Sequence, residues 1–170
     1  TLNPGSTTRY EVDDDNNLNK VFVCPAIMQS SMRLVCPVMC LEATPLKSHW
    51  KGTLYVASVK TGCDDVYPVA ISIMNEDENE ADWNWFLEHL RSAIDVLAMD
   101  HPQERVSYKY FSFVSKCKNG LQEALENVFP QNYFCIEGVS PHASKSTCFT
   151  WLDDPGLPPR YGIIPSNWCE

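Results

Sequence analysis

The chain has 170 residues, 44% hydrophobic and 21% charged, a length and balance that suit one domain with a buried core. They exclude a largely disordered chain, a collagen-like fibre and a small disulfide-stapled scaffold. Thirteen basic against 22 acidic residues leave a net charge of −9, so the bulk field opposes DNA, and any nucleic-acid role falls on another segment or a partner.

Taken along the chain, Asp13-Asp14-Asp15 with Asn16 and Asn17 reads as a hairpin turn between strands at Arg9–Val12 and Lys20–Cys24. Arg33 to Glu42 (RLVCPVMCLE) is an apolar run too short for a comfortable helix and rich in strand formers. Gly52 to Lys60 alternates, with Leu54 and Val56 on one face and Tyr55, Ala57 and Val59 on the other. After a turn at Gly62–Asp65 comes the strand Val66–Met74, where Pro68 argues for an edge or a bulge. Asn79 and Asp82 then offer a helix cap with acidic residues in the first turn. Trp83, Phe86, Leu87, Leu90, Ile94 and Leu97 follow at three- and four-residue steps, which predicts a helix with one apolar stripe up to about Met99. The acidic stretch Glu76–Asp82 reads as its solvated start. Tyr108–Ser115 is a predicted strand, Asn119–Val128 a second amphipathic helix, and Asn132–Ile136 a last short strand.

Three strands joined by tight turns must be antiparallel neighbours, and the strand–helix–strand crossings that follow should be parallel. The expectation is an α/β fold: a mixed five-stranded ribonuclease-H-like sheet with flanking helices, over residues 1–137 together with the N-terminal hairpin. Residues 138–170 hold five prolines and little periodicity and read as a loop-rich remnant of the same domain. The longest apolar runs, such as Val35 to Leu41, are too short to span a bilayer. The absence of a starting Met suggests a domain cut from a longer chain.

Eight cysteines occur without a CxxC pair, and several lie in apolar strand-like runs. They read as reduced, buried thiols of an intracellular protein, because free Cys packs as a small hydrophobe. Cys135, His142, Cys148 and Cys169 follow no common structural-zinc spacing, and no Ser-His-Asp set, phosphate-cradling glycine loop or nucleotide fingerprint is present.

Three stretches carry a resemblance. Leu41-Glu42-Ala43-Thr44-Pro45-Leu46-Lys47 with Lys51-Gly52-Thr53-Leu54 is similar to the first-strand motif of Mutator-like element (MULE) transposases, an Asp-Gly/Ala-Thr-x-Leu-Lys run leading into Gly-Thr-Leu. Tyr67-Pro68-Val69-Ala70, Glu78-Asn79-Glu80 and Trp83-Asn84-Trp85-Phe86-Leu87 resemble the family's Pro-Leu-Ala … Glu-Asn-x-x-x-Trp-x-Trp-Phe-Leu segment. Phe113-Val114-Ser115-Lys116, Gly120-Leu121 and Val128-Phe129-Pro130 look like its Ile-Ser-Asp … Gly-Leu … Val-Phe-Pro segment. Order and spacing agree over about residues 9–137.

The resemblance implies a nuclear, DDE-type recombinase core in which three carboxylates hold two Mg²⁺ ions for phosphodiester cleavage and strand transfer. Its first acid falls on Glu42, one methylene longer than Asp. The second falls on Lys116, an ammonium where the family has an acid, and the third on Glu170, at the end of Arg160–Glu170. The family's Cys-x-x-His appears as Cys135-Ile136-Glu137-Gly138, without the His, and only 27 residues separate Gly138 from Ser166, where the family carries a helical insertion. The expectation is therefore a domesticated, catalytically inactive module with no metal or other cofactor of its own. Its partner is expected to be a protein, with DNA reached through other segments or partners, and neither a membrane nor a small-molecule substrate is expected. The alternative is a metal-dependent DDE-type transposase or nuclease working with altered acidic ligands, and Lys116 separates the two.

Overall fold

The computed structural model describes residues 3–35, 37–47, 51–61, 65–100, 108–116, 119–132 and 134–136. Cys36, His142, Cys148, Cys169, Glu170 and the whole of 138–170, expected above to be a loop-rich remnant, lie outside the described residues.

The alternation read from the sequence builds the sheet. Strands β1 (Thr7–Val12) and β2 (Leu18–Cys24) form the expected hairpin, closed by Asp13, whose carboxylate accepts from the N–H groups of Asp15 at 3.0 Å and Asn17 at 2.8 Å. Strands β3 (Val38–Pro45), β4 (Thr53–Lys60) and β5 (Val66–Met74) pair antiparallel in sequence. Strand β6 (Ser112–Ser115) lies parallel to β3, and β7 (Phe134–Ile136) parallel to β6. The β4–β5 ladder shifts register between Ala57↔Ala70 and Ser58↔Pro68, so Val69 is the extra residue of a bulge in β5 beside Pro68, which has no N–H to give to the ladder.

Among the described residues the sheet has seven strands in the order β1-β2-β5-β4-β3-β6-β7, which corrects the five-stranded expectation. The hairpin joins the sheet through β2, which pairs antiparallel with β5 from Lys20↔Met74 to Val23↔Ile71. Without it β5 would be an edge strand with a row of unpaired backbone groups, a liability that the hairpin removes.

Among the described residues three helices flank the sheet: α1 (Ala26–Ser31), α2 (Glu80–Asp100) and α3 (Leu121–Val128). Helix α2 buries the predicted stripe through Trp83, Phe86, Leu87, Leu90, Ile94 and Leu97. That stripe meets Phe22, Met39, Leu41, Tyr55, Ala57 and Phe113 from the strands and Leu121, Leu125 and Val128 from α3 in one core. Tyr55 and Trp83 pack edge to face with ring centroids 4.8 Å apart. Met28 of α1 packs against the same core, and Gln29 donates from Nε2 to the Ala93 carbonyl of α2 at 2.6 Å. All three helices therefore lie on one face of the sheet.

Three further boundaries differ from the sequence reading. Residues 26–31 form α1, which was not expected. The first meander strand begins at Val38 rather than Arg33, because the chain leaving α1 turns through Met32–Leu34, with the Leu34 N–H bonded to the Ser31 carbonyl at 2.9 Å. Tyr108–Tyr110 is a short 3-10 turn and not part of the strand. Cys24 and Cys40 are free and buried, and burial pushes the Cys24 thiol up to about 12.

Candidate functional site

The two family positions that the structure describes lie just past the end of the ladder between the parallel strands β3 and β6. The β3–β6 ladder runs from Val38↔Ser112 to Leu41↔Ser115, so Glu42 and Lys116 are the next residues in register on either side. The ladder is locked at that end by the Ser115 hydroxyl, which donates to the Leu41 carbonyl at 2.6 Å. Glu42 is half-buried and Lys116 exposed. Strand alternation puts Glu42 on the face away from the helices, with Cys40, whose Sγ lies 3.9 Å from Glu42 Oε1. Across β4 its neighbour is Val56.

Glu42 and Lys116 are thus neighbours in register, but no ion pair between them is among those of the described residues. Lys116 stands beyond the last ladder pair in solvent, where an ion pair gains only about 0–1 kcal/mol and does not hold a long side chain in place. One carboxylate and one ammonium do not fit a pair of divalent cations, which take clustered oxygen ligands. Among the described residues no group of three His, Cys, Asp or Glu side chains is placed to hold a metal ion. Glu170 lies outside the described residues, as do the other members of the candidate zinc set apart from the backbone of Cys135.

A second polar constellation escaped the sequence reading. Lys20 Nζ is 2.6 Å from Asp82 Oδ1, with the aspartate side chain 1% and the lysine side chain 15% exposed. Asn79 caps α2 from both ends of its amide: Oδ1 accepts the Asp82 N–H at 2.9 Å, and Nδ2 donates to Asp82 Oδ2 at 3.0 Å. Asp82 is therefore an interior ion-pair partner and not part of a solvated helix start, which corrects that reading of the acidic stretch. Trp85 joins the group by donating from Nε1 to Glu11 at 2.6 Å, and His89 sits edge-on to Trp85 at 4.3 Å between ring centroids. Burial, helped by the Arg9 guanidinium, holds the His89 imidazolium below its usual range against the opposing pull of Glu88 and Glu11.

The signal for this group was present in the spacing. Lys20 stands two residues before buried Phe22 on the inward-facing side of β2, and Asp82 four residues before Phe86 on the α2 stripe. Two opposite charges on two buried periodicities predict a pair. The network ties the β1–β2 hairpin to α2 and presents no reactive centre.

Compared with known proteins, no family model matches the chain, and no curated protein matches it either. The fold is mixed α/β, with antiparallel and parallel strands in one sheet and the helices of the described residues on one face. Among the described residues no helix is long and apolar enough to cross a membrane.

Proposed function

We propose that the chain is a catalytically inactive ribonuclease-H-like domain derived from a Mutator-like element transposase. It works in the nucleus as a binding or regulatory module for a protein partner. The observation that carries this reading is Lys116, which takes the place of the second metal-binding acid and stands next in register to Glu42. A meander followed by a parallel crossover to the strand beside its first member is the chain path the resemblance calls for, and it supports the ribonuclease-H-like reading of the mixed sheet. An ammonium about 4 Å from a cation is repelled by roughly 4 kcal/mol per unit of metal charge at an effective dielectric near 20. Loss of the acid also removes a ligand that Mg²⁺ requires.

Calorimetric titration with Mg²⁺ and Mn²⁺ at low salt, paired with a nicking assay on supercoiled DNA, tests the reading. The expected result is neither a binding isotherm that depends on Glu42 nor metal-dependent nicking. Lys116→Asp alone is expected to restore nothing, because Glu42 remains a methylene too long for the geometry Mg²⁺ demands. Metal-dependent nicking by the unmodified protein that disappears in Glu42→Gln would overturn the reading and favour the enzyme alternative.

A further inference from the structure

Among the described residues β1 is the outermost strand at its end of the sheet, and it lacks the devices that keep an edge from pairing. The opposite edge is blunted, since β7 is only three residues long. Strand β1 has six residues, Thr-Thr-Arg-Tyr-Glu-Val, without proline, glycine or lysine, and all but Thr7 are exposed. The irregularity in its ladder belongs to β2, where Asn19 is the extra residue between Glu11↔Lys20 and Val12↔Leu18, so β1 itself runs unbroken. Its two faces differ in chemistry. Arg9 and Glu11 lie on the helix side, level with Phe22 and Lys20 of β2. Tyr10 and Val12, 72% and 47% exposed, lie on the other side. There Tyr10 continues Val21, Ile73 and Leu54 in one cross-strand apolar row.

We propose that β1 is a self-association edge, pairing antiparallel with β1 of a second copy of this chain across a two-fold axis at Tyr10. The charges choose both the occupant and the register. An axis perpendicular to the sheet keeps the helices of both copies on one side, and it must pass through a residue pair, because cross-strand neighbours share a face. Centred on Tyr10, it sets Arg9 opposite the partner's Glu11 and Glu11 opposite the partner's Arg9. Moved by one residue either way, it sets Arg9 on the partner's Arg9 or Glu11 on the partner's Glu11. Opposite charges directly across a ladder stabilise it and like charges oppose it. On the other face Tyr10 meets the partner's Tyr10 and Val12 the partner's Thr8, so the apolar row runs from one sheet into the next. Glu11 is held ready for this: its Oε1 accepts from Trp85 Nε1 at 2.6 Å, which reduces the ordering cost of a second partner. The Arg9 guanidinium lies against the Thr8 carbonyl at 2.8 Å on the exposed side, a contact it exchanges for the partner's carboxylate. This edge is four strands from Glu42, and the proposal does not rest on the inactive-transposase reading.

Sedimentation velocity on the whole 170-residue chain tests this, at physiological ionic strength so that the net charge of −9 is screened beyond about 8 Å. The unmodified protein is expected to pass from monomer to dimer as its concentration rises through the micromolar range. Arg9→Glu and Glu11→Arg each place like charges at both symmetry-related pairs, and each is expected to weaken the dimer about tenfold or more. Mixed one to one, the two variants are expected to regain it, because a strand with two acids then faces a strand with two guanidiniums. Thermal melting confirms that each variant is folded. Should loss of the Trp85 contact unfold Glu11→Arg, Tyr10→Lys at its exposed position sets two ammoniums on the axis and is expected to weaken association to a similar degree. A chain that stays monomeric at every concentration would overturn the proposal and leave the edge to a strand of a different protein. A dimer indifferent to folded Arg9→Glu and Tyr10→Lys, or a mixture of folded variants that stays monomeric, would overturn it too and place any self-association elsewhere.

Discussion

Lys20 and Asp82 carry opposite charges at the seam between the hairpin and α2, but they are not equally placed to do without each other. The aspartate side chain is 1% exposed, whereas the lysine side chain, at 15%, keeps a route to solvent and can carry its ammonium outward on its alkyl stem. Removing the lysine strands a buried carboxylate whose remaining partner among the described residues is the Asn79 amide, donating from Nδ2 to Oδ2. Lys20→Met is therefore expected to cost about 3 kcal/mol in urea unfolding, the range for breaking a buried pair by deleting one partner. Asp82→Asn should cost clearly less, since it leaves the cap amide a neutral partner and the lysine free to reach water. Equal costs for the two variants would show that unequal burial does not govern the pair. A double variant, Lys20→Met with Asp82→Leu, should recover part of the loss, because the two sites share one interaction.

Where the two amphipathic helices meet the loop between them and the strands, one residue has no freedom to change. Gly120 holds φ at 79°, and a Cβ built there would lie 2.4 Å from the backbone N of Glu80, at the start of α2. Gly120→Ala thus combines left-handed strain with a backbone collision, and is expected to destabilise by at least about 2 kcal/mol. Chemical denaturation reads the loss directly, and a change within error would mean that the α2–α3 junction yields easily. The second helix itself was legible, because Leu121, Ala124, Leu125 and Val128 repeat at helical steps. So were α2, the hairpin and the meander, whose periodicities are long enough to speak for themselves. Helix α1 was not: six residues show no full period, Pro25 at its cap makes no side-chain bond, and the helix is held by tertiary contacts through buried Gln29. The strand expected from Tyr108 starts at Ser112 for a similar reason. Asn132 donates from its amide to the carbonyls of Tyr108 and Phe111, at 2.5 and 2.8 Å, and Arg91 stacks over the Tyr108 ring at 4.3 Å. Those carbonyls are satisfied by residues about twenty positions away, which no local pattern reports. The register of Glu42 with Lys116 could be read from the strand order, but their lack of an ion pair could not, since it depends on how far the ladder continues beyond Ser115.

At the scale of the whole molecule, acidification pulls stability two ways. A net charge of −9 repels itself, and lowering the pH toward neutrality of the net charge relieves that repulsion. His89 acts in the opposite direction. Its imidazole is wedged between the rings of Trp85 and Phe22, at 4.3 and 5.7 Å between centroids. Burial first, and Arg9 second, disfavour its charged form, while Glu88 on its own helix and Glu11 on β1 partly offset them. The folded-state pKa therefore lies below the unfolded value of about 6.5. In the window between the two, the unfolded chain binds more protons than the folded one, so stability falls as the pH drops through 6.5 toward the folded value. It is fully retained above that window. His89→Phe keeps a ring between Trp85 and Phe22 and removes the titration, while the chain's other three histidines and all its carboxylates remain common to both proteins. The stability of wild type minus that of His89→Phe, from urea unfolding at pH 7.5, 6.5 and 5.5, is thus expected to decrease steadily as the pH falls, whatever the net-charge effect does to each curve alone. Parallel curves across that range would mean that the hairpin–α2 seam accommodates the imidazolium. A difference that grows on acidification would mean that Glu11 and Glu88 outweigh burial.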